Sequence, residues 1–220
     1  MGNSQRVGFI VDGFNVYHSL ADSQKVNNGV CSKWFDIDGF CRAYLVPIGL
    51  KLNVTASLEE IHYFSALATH LLGKDPEKII RHKAYIQCLE HTGIKVHLGR
   101  FKKKAVKYRN KKVSVCIETH EEKETDVAIA IKAFELFHTD SIDILVIVSG
   151  DSDMVPAVRA VKKNFPTKKV ISVFPAGRKS DDMSSIVDAS FKASSGKYKD
   201  HQLDNPYHLD NMQIAKPDSW

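Results

Sequence analysis

Two apolar runs in this sequence end in carboxylates where a strand built for a core has no need of them. VGFIV (7–11) runs into Asp12-Gly13-Phe14-Asn15, and ILVIVS (144–149) runs into Gly150-Asp151-Ser152-Asp153. A fourth acid, Asp126, follows Thr125 at the start of the apolar pattern TDVAIAIKAFELFH. Each has an ordinary explanation alone. An acid at a helix start complements the helix dipole, Asp-Gly is turn chemistry, and Asn15 can cap a helix. Together they point elsewhere. If the two runs are neighbouring parallel strands, Asp12, Asp151 and Asp153 meet beyond their carboxyl ends, where open α/β sheets bind ligands. Asp126, in the first turn of its helix, joins them at the same rim. Two carboxylates ~4 Å apart repel by roughly 4 kcal/mol at an effective dielectric near 20. Such a cluster calls for a hard cation, Mg²⁺ or Mn²⁺, with oxygen ligands. A cation so held polarises a phosphoryl oxygen and acidifies its bound water, which is the chemistry of phosphodiester hydrolysis.

The elements that position these residues follow from the pattern. Strand-like runs recur at 7–11, 60–67, 94–98, 113–117, 144–149 and 169–174. Helical patterns lie between several of them. IDGFCRAYLV (37–46) is one. PEKIIRHKAYIQCLEHTG (76–93) is another, with Pro76 near its start and Gly93 past its end. TDVAIAIKAFELFH sets Val127, Ala130, Ile131 and Phe134 at i, i+3, i+4 and i+7, with Thr125 as N-cap. DMVPAVRAVKKN places Pro156 in a first turn. Strands alternating with helices predict an α/β fold with a mainly parallel central sheet covered on both faces. The segment 101–118 reads as a hairpin or extended loop. Residues 1–191 are expected to form one domain, and 192–220 a C-terminal tail partly packed on it, with Ile214 and Trp220 as the residues to dock.

Composition bounds the rest. The chain has 220 residues, 43% hydrophobic and 26% charged, which is ordinary for a globular domain. No apolar run reaches membrane-spanning length, and VGFIV is too short for a signal region. Cys31, Cys41, Cys88 and Cys116 show no CxxC spacing, so neither zinc nor a redox pair is indicated. A reduced, cytoplasmic protein is expected. The histidines show no HxxxH or HxH ligand spacing, and the sequence holds neither GxxxxGK[ST] nor GxSxG. A haloacid-dehalogenase type of phosphatase would want DxDx[TV], but Phe14 stands two residues after Asp12.

At this point VDGFNVY, ETDVAIAI and VSGDSDMVPAV, in that order and spacing, resemble the NYN-domain family, PIN-like ribonucleases, and in particular its LabA-like bacterial branch. The resemblance covers roughly residues 6 to 190, and SDDMSSIVDASF resembles the family's last helix. It implies a PIN-like three-layer α/β/α fold and metal-dependent RNA cleavage. Asp12, Asp126, Asp151 and Asp153 match the acidic metal-site positions, Asn15 matches the Asn of the first motif, and Ser149 matches the small hydroxyl residue before Gly-Asp; Asn15 and Ser149 are the expected substrate contacts among these. The stretch 21–58 and the basic segment 101–112 go beyond the family's core pattern.

That basic segment bears on substrate. KVHLGRFKKKAVKYRNKK (95–112) carries nine Lys or Arg and no acid. Lys102, Lys103, Lys104, Lys107, Arg109, Lys111 and Lys112 are candidate phosphate contacts, and Phe101 and Tyr108 candidate base-stacking residues. The acidic stretch ETHEEKETD follows directly. The expected partner is RNA, single-stranded, with no base-reading motif. The reading from another class is a catalytically weak RNA- or protein-binding regulator on the same fold. A homo-oligomer is compatible with the sequence.

Overall fold

The computed structural model describes residues 4–26, 32–110 and 113–220, and their side chains except at 26 and 106–118. The chain runs through β1 (Ser4–Asp12), α1 (Gly13–Val26), α2 (Ile37–Arg42), α3 (Leu45–Leu52), β2 (Thr55–Ala66), α4 (Pro76–His91), β3 (Lys95–Asn110) and β4 (Val113–Lys123). It continues through α5 (Thr125–His138), β5 (Ile144–Val148), α6 (Val155–Asn164), β6 (Lys169–Phe174), α7 (Asp181–Ile186) and β7 (Ala189–Lys192). The last elements are α8 (Ser195–Asp200), β8 (Tyr207–Leu209) and β9 (Met212–Ile214). A seven-stranded sheet has the order β4-β3-β2-β1-β5-β6-β7. All its pairs are parallel except β3–β4, so the fold is α/β with helices on both faces.

Alternation along the central strands builds two cores. Val7, Phe9 and Val11 of β1, with Ile144, Val146 and Val148 of β5, face one side. There they pack with residues of α1, α2, α3, α4 and α8. Ile10, Leu145 and Ile147 face the other, against Ile129 and Leu136 of α5, Val158 of α6 and Met183 of α7. Strands buried on both faces read as unbroken apolar runs for this reason.

The chain leaves β1 for β2 and β3 on one side, then returns to β5 on the other. The β1–β5 register pairs Val11 with Val148. Asp12 and Ser149 therefore end adjacent strands at the switch point of the sheet, where such folds place their ligands.

Some local expectations change. The 37–46 helix is two, α2 and α3. Asp36 caps the first by accepting from Gly39 N. The N-cap of α5 is Glu124, with φ 82° and no side-chain cap bond; Thr125 is the first helical residue. The apolar set Val127, Ile131 and Phe134 lies on the exposed side of α5, while Ile129, Ala133, Leu136 and Phe137 are buried. Segment 101–118 belongs to a long antiparallel hairpin paired from Arg100–Lys123 to Asn110–Val113. Beyond β7, Tyr198, Leu203 and Ile214 are buried, and the Trp220 ring lies 6.3 Å from that of Trp34.

Candidate active site

Asp12 is the fixed point. It is the last residue of β1 and only 5% exposed. Its Oδ1 accepts from Asn15 N at 3.0 Å and its Oδ2 from Ser149 Oγ at 2.8 Å. The Asn15 side chain spans to the neighbouring strand end, its Oδ1 accepting from Gly150 N at 3.0 Å. Ser149 Oγ also accepts from Asp151 N at 3.1 Å, and Asp151 Oδ1 caps the following turn by accepting from Asp153 N at 2.9 Å. One hydrogen-bonded chain thus ties β1, the start of α1 and the end of β5.

Two glycines make the close packing possible. A Cβ on Gly150 would overlap the Arg178 carbonyl, and one on Gly13 would sit 2.6 Å from the Phe64 carbonyl oxygen. No side chain fits at either place.

These strand ends border a cavity of about 280 Å³ lined by Asp12, Asn15, Glu122, Asp126, Asp151 and Arg178, together with Phe14, His18 and Thr125. Asp126 reaches it from the first turn of α5, so it stands at the rim expected for it. Burial pushes the Asp12 carboxyl up to about 6, helped by the negative charge of Asp126 and Asp151 and opposed by its two hydrogen bonds. Burial likewise raises Asp126, with the charges of Asp151, Glu122 and Asp153 adding to it.

The donors are all carboxylates, the chemistry that Mg²⁺ or Mn²⁺ selects. Among the described residues no ion pair neutralises Asp12, Asp126, Asp151 or Asp153, so the residues fit a hard cation by type and by uncompensated charge. Among those same residues, however, no three His, Cys, Asp or Glu side chains are already drawn together as a ligand set.

Asp153 is the one expected acid that does not line the cavity; it acts on it through charge alone. Ser149, an expected substrate contact, is fully buried and donates its hydroxyl to Asp12. Lys102, Lys103 and Lys104 are exposed on β3, with Lys104 Nζ 2.9 Å from Glu121. The side chains of Lys107, Tyr108 and Arg109, and residues Lys111 and Lys112, lie outside the described residues.

Three cavity residues carry no signal in the sequence reading. Glu122 accepts from Thr125 N at 3.1 Å and from the Thr125 hydroxyl. It sits in the acidic stretch after the basic run, which could have drawn attention to it. Arg178, 2.8 Å from Asp22, and His18 follow no motif.

A family model described as the NYN domain matches residues 6–194. No protein of curated function matches the sequence. Among solved structures, the chain is similar to a crystal structure of a protein of unknown function from Vibrio parahaemolyticus. Identity is 18% and the TM-score 0.56, over 90% of this chain and 96% of that one. That likeness concerns the fold.

Proposed function

We propose that this protein, which belongs to the NYN domain family, is a metal-dependent ribonuclease that hydrolyses RNA phosphodiester bonds at the acidic cavity. The observation that carries the reading is the convergence of Asp12, Asp126 and Asp151, from three separate elements, on one cavity, whose one cation among the described residues, Arg178, is paired with Asp22 instead. Asp12, Asp126 and Asp151 would hold Mg²⁺ or Mn²⁺, with Asp153 adding negative charge. When bound, such an ion polarises a phosphoryl oxygen and lowers the pKa of bound water.

The chain's own groups do the rest. Ser149 and the Asn15 amide hold Asp12 in one orientation, and Asn15 locks the strand ends together. Asp126 is exposed and can accept a proton from an attacking water. The Arg178 guanidinium, which lines the cavity, would offer a phosphate charge-assisted bonds. The basic hairpin gives a single RNA strand a sequence-independent path to the site. The motifs VDGFNVY, ETDVAIAI and VSGDSDMVPAV support the LabA-like branch. No helix among the described residues is long and apolar enough to cross a membrane, and a cytoplasmic location is part of the proposal.

The regulator reading has one observation in its favour: the carboxylates are not already gathered as a ligand set. One experiment separates the two. Labelled single-stranded RNA is incubated with the protein in Mn²⁺, in Mg²⁺ and in EDTA. Cleavage is expected with either metal and none in EDTA. Asp151→Asn should cut the rate by at least about a hundredfold, since one charge on the developing transition state is worth several kcal/mol. Asn keeps the acceptor that caps the turn, so the fold should persist. Cleavage that ignores EDTA, or a mutant as fast as wild type, would remove the acidic site from the mechanism; RNA binding without cleavage would favour the regulator.

A further inference from the structure

Beside the acidic cavity opens a larger cleft of about 630 Å³, within the size range of small-molecule sites. Phe14, His18 and Glu122 line both cavities, so the two adjoin at the start of α1. On this side the larger cleft is aromatic. Phe14 meets Phe101 edge-on with centroids 5.8 Å apart, and His70 lies 4.8 Å from Phe101. His70 is itself stacked on His120 at 4.1 Å. Tyr17, Tyr63, Tyr85 and Trp220 add to the aromatic lining.

Charge on the lining is one-sided. Lys33, Lys78 and Arg81 contribute to it, and Glu122 is its one acid among the described residues. Two of its polar atoms, Arg81 Nε and His70 Nδ1, are buried without a hydrogen-bond partner. Buried polar groups are nearly always paired, so two orphans around one cleft mark contacts left for a ligand. Among the described residues the acid paired with Arg81 is Asp75, at 3.8 Å and half-exposed.

Aromatic surfaces, cations and unpaired polar atoms within one cleft match a flat heterocycle joined to phosphate. An apolar ligand would leave the orphans unsatisfied, and an acidic peptide would leave the stacking surfaces bare. We propose that this cleft binds one nucleobase of the RNA strand, stacked on the wall of Phe14, Phe101 and His70, with the strand's phosphates toward Lys78 and Arg81. The adjoining phosphodiester then lies at the acidic cavity. The identity of the strand rests on the nuclease reading; the base-binding chemistry of the cleft stands on its own residues. A single seated base beside the cutting site would fix which bond is presented, giving the protein a preference for unpaired RNA.

The test is binding, kept apart from cleavage. A fluorescein-labelled RNA pentamer is titrated with wild-type protein in EDTA, alongside pentamers that carry one abasic ribose at each position in turn. Loss of the seated base should weaken binding by about tenfold, given typical stacking contributions, and at one position only. Ala68→Phe, which places a ring into the cleft, should abolish that position dependence while leaving the melting temperature unchanged. Arg81→Gln should weaken all pentamers and serves as the second variant if Ala68→Phe does not fold. AMP competing as well as the pentamer would identify a free nucleotide, not an RNA strand, as the occupant and overturn the strand assignment. Equal affinity for every abasic pentamer, or a folded Ala68→Phe that keeps the position dependence, would overturn the cleft assignment. Cleavage in Mn²⁺ is read separately: base-dependent binding without cleavage upholds the cleft and sinks the nuclease, and cleavage without base dependence does the reverse.

Discussion

Asp12 concentrates the conflict on which the site depends. It must be buried to be held rigidly, yet burial beside Asp126 and Asp151 penalises its charge. Its carboxyl, pushed from 3.8 up to about 6, binds a proton more tightly in the folded chain than in the unfolded one. Between those two pH values the folded state carries more protons, so stability falls as pH rises through the window and stays reduced above it. Asp12→Asn should remove that loss. In EDTA the mutant is expected to be more stable than wild type at pH 7.5, by on the order of 2–3 kcal/mol, and no more stable at pH 4. Adding Mn²⁺ should raise the melting temperature of wild type but not of the mutant. Thermal unfolding from pH 4 to 7.5 checks this. Parallel pH profiles for the two proteins would mean that Asp12 bears no buried charge. The acids themselves were legible in the sequence because carboxylates ending apolar runs are conspicuous. The roles of Ser149 and Asn15 were not, since a buried hydroxyl and a latching amide depend on which strand ends become neighbours.

At the scale of elements, helix α5 shows where pattern reading reaches its limit. Both sides of TDVAIAIKAFELFH are apolar, so i, i+3, i+4, i+7 spacing finds a stripe starting at Val127 as easily as one starting at Ile129. The decision comes from its neighbours. Asp126 has to face the cavity, and the adjoining positions Ile129, Ala133, Leu136 and Phe137 then fall onto the sheet and onto α6. Ile129 is 1% exposed and Ile131 62%. Ile129→Ala should therefore cost about 2–5 kcal/mol, while Ile131→Ala should change stability by less than about 0.5 kcal/mol. Urea unfolding of the two variants measures the contrast, and equal losses would reverse the assigned faces. The parallel strands were readable for the opposite reason. β5 and β6 are buried on both sides, and short continuous apolar runs such as ILVIV and VISVF have few other uses in a chain of this composition.

At the scale of the whole molecule, the family match ends at residue 194 but the core does not. Tyr198, 1% exposed, packs its ring 5.3 Å from Phe35. Its hydroxyl lies 2.7 Å from Ser19 Oγ and accepts from Ala176 N at 2.8 Å. Trp34 Nε1 donates to the Asp204 carbonyl at 2.9 Å, and its ring lies between this segment, Tyr85 of α4 and Trp220. The sequence past Phe191 showed weak periodicity because its elements are too short to display any: α8 has six residues, β8 and β9 three each. What holds it is individual anchors. Ser19 lies on α1, the helix whose first turn carries Asn15 to the acidic cavity, so the Tyr198 contact supports the site from behind. Tyr198→Phe keeps the ring and removes the hydroxyl, leaving the Ala176 amide without its partner. The expected cost is about 1–3 kcal/mol, or a melting temperature lower by several degrees at roughly 2–4 °C per kcal/mol for a chain of this size. Tyr198→Ala should cost more, about 3–5 kcal/mol, by emptying the space beside Phe35 and Phe40. Calorimetry of the two variants in one buffer reads the difference directly. If both melt like wild type, residues 195–220 add nothing to the core and α1 is held by the sheet alone.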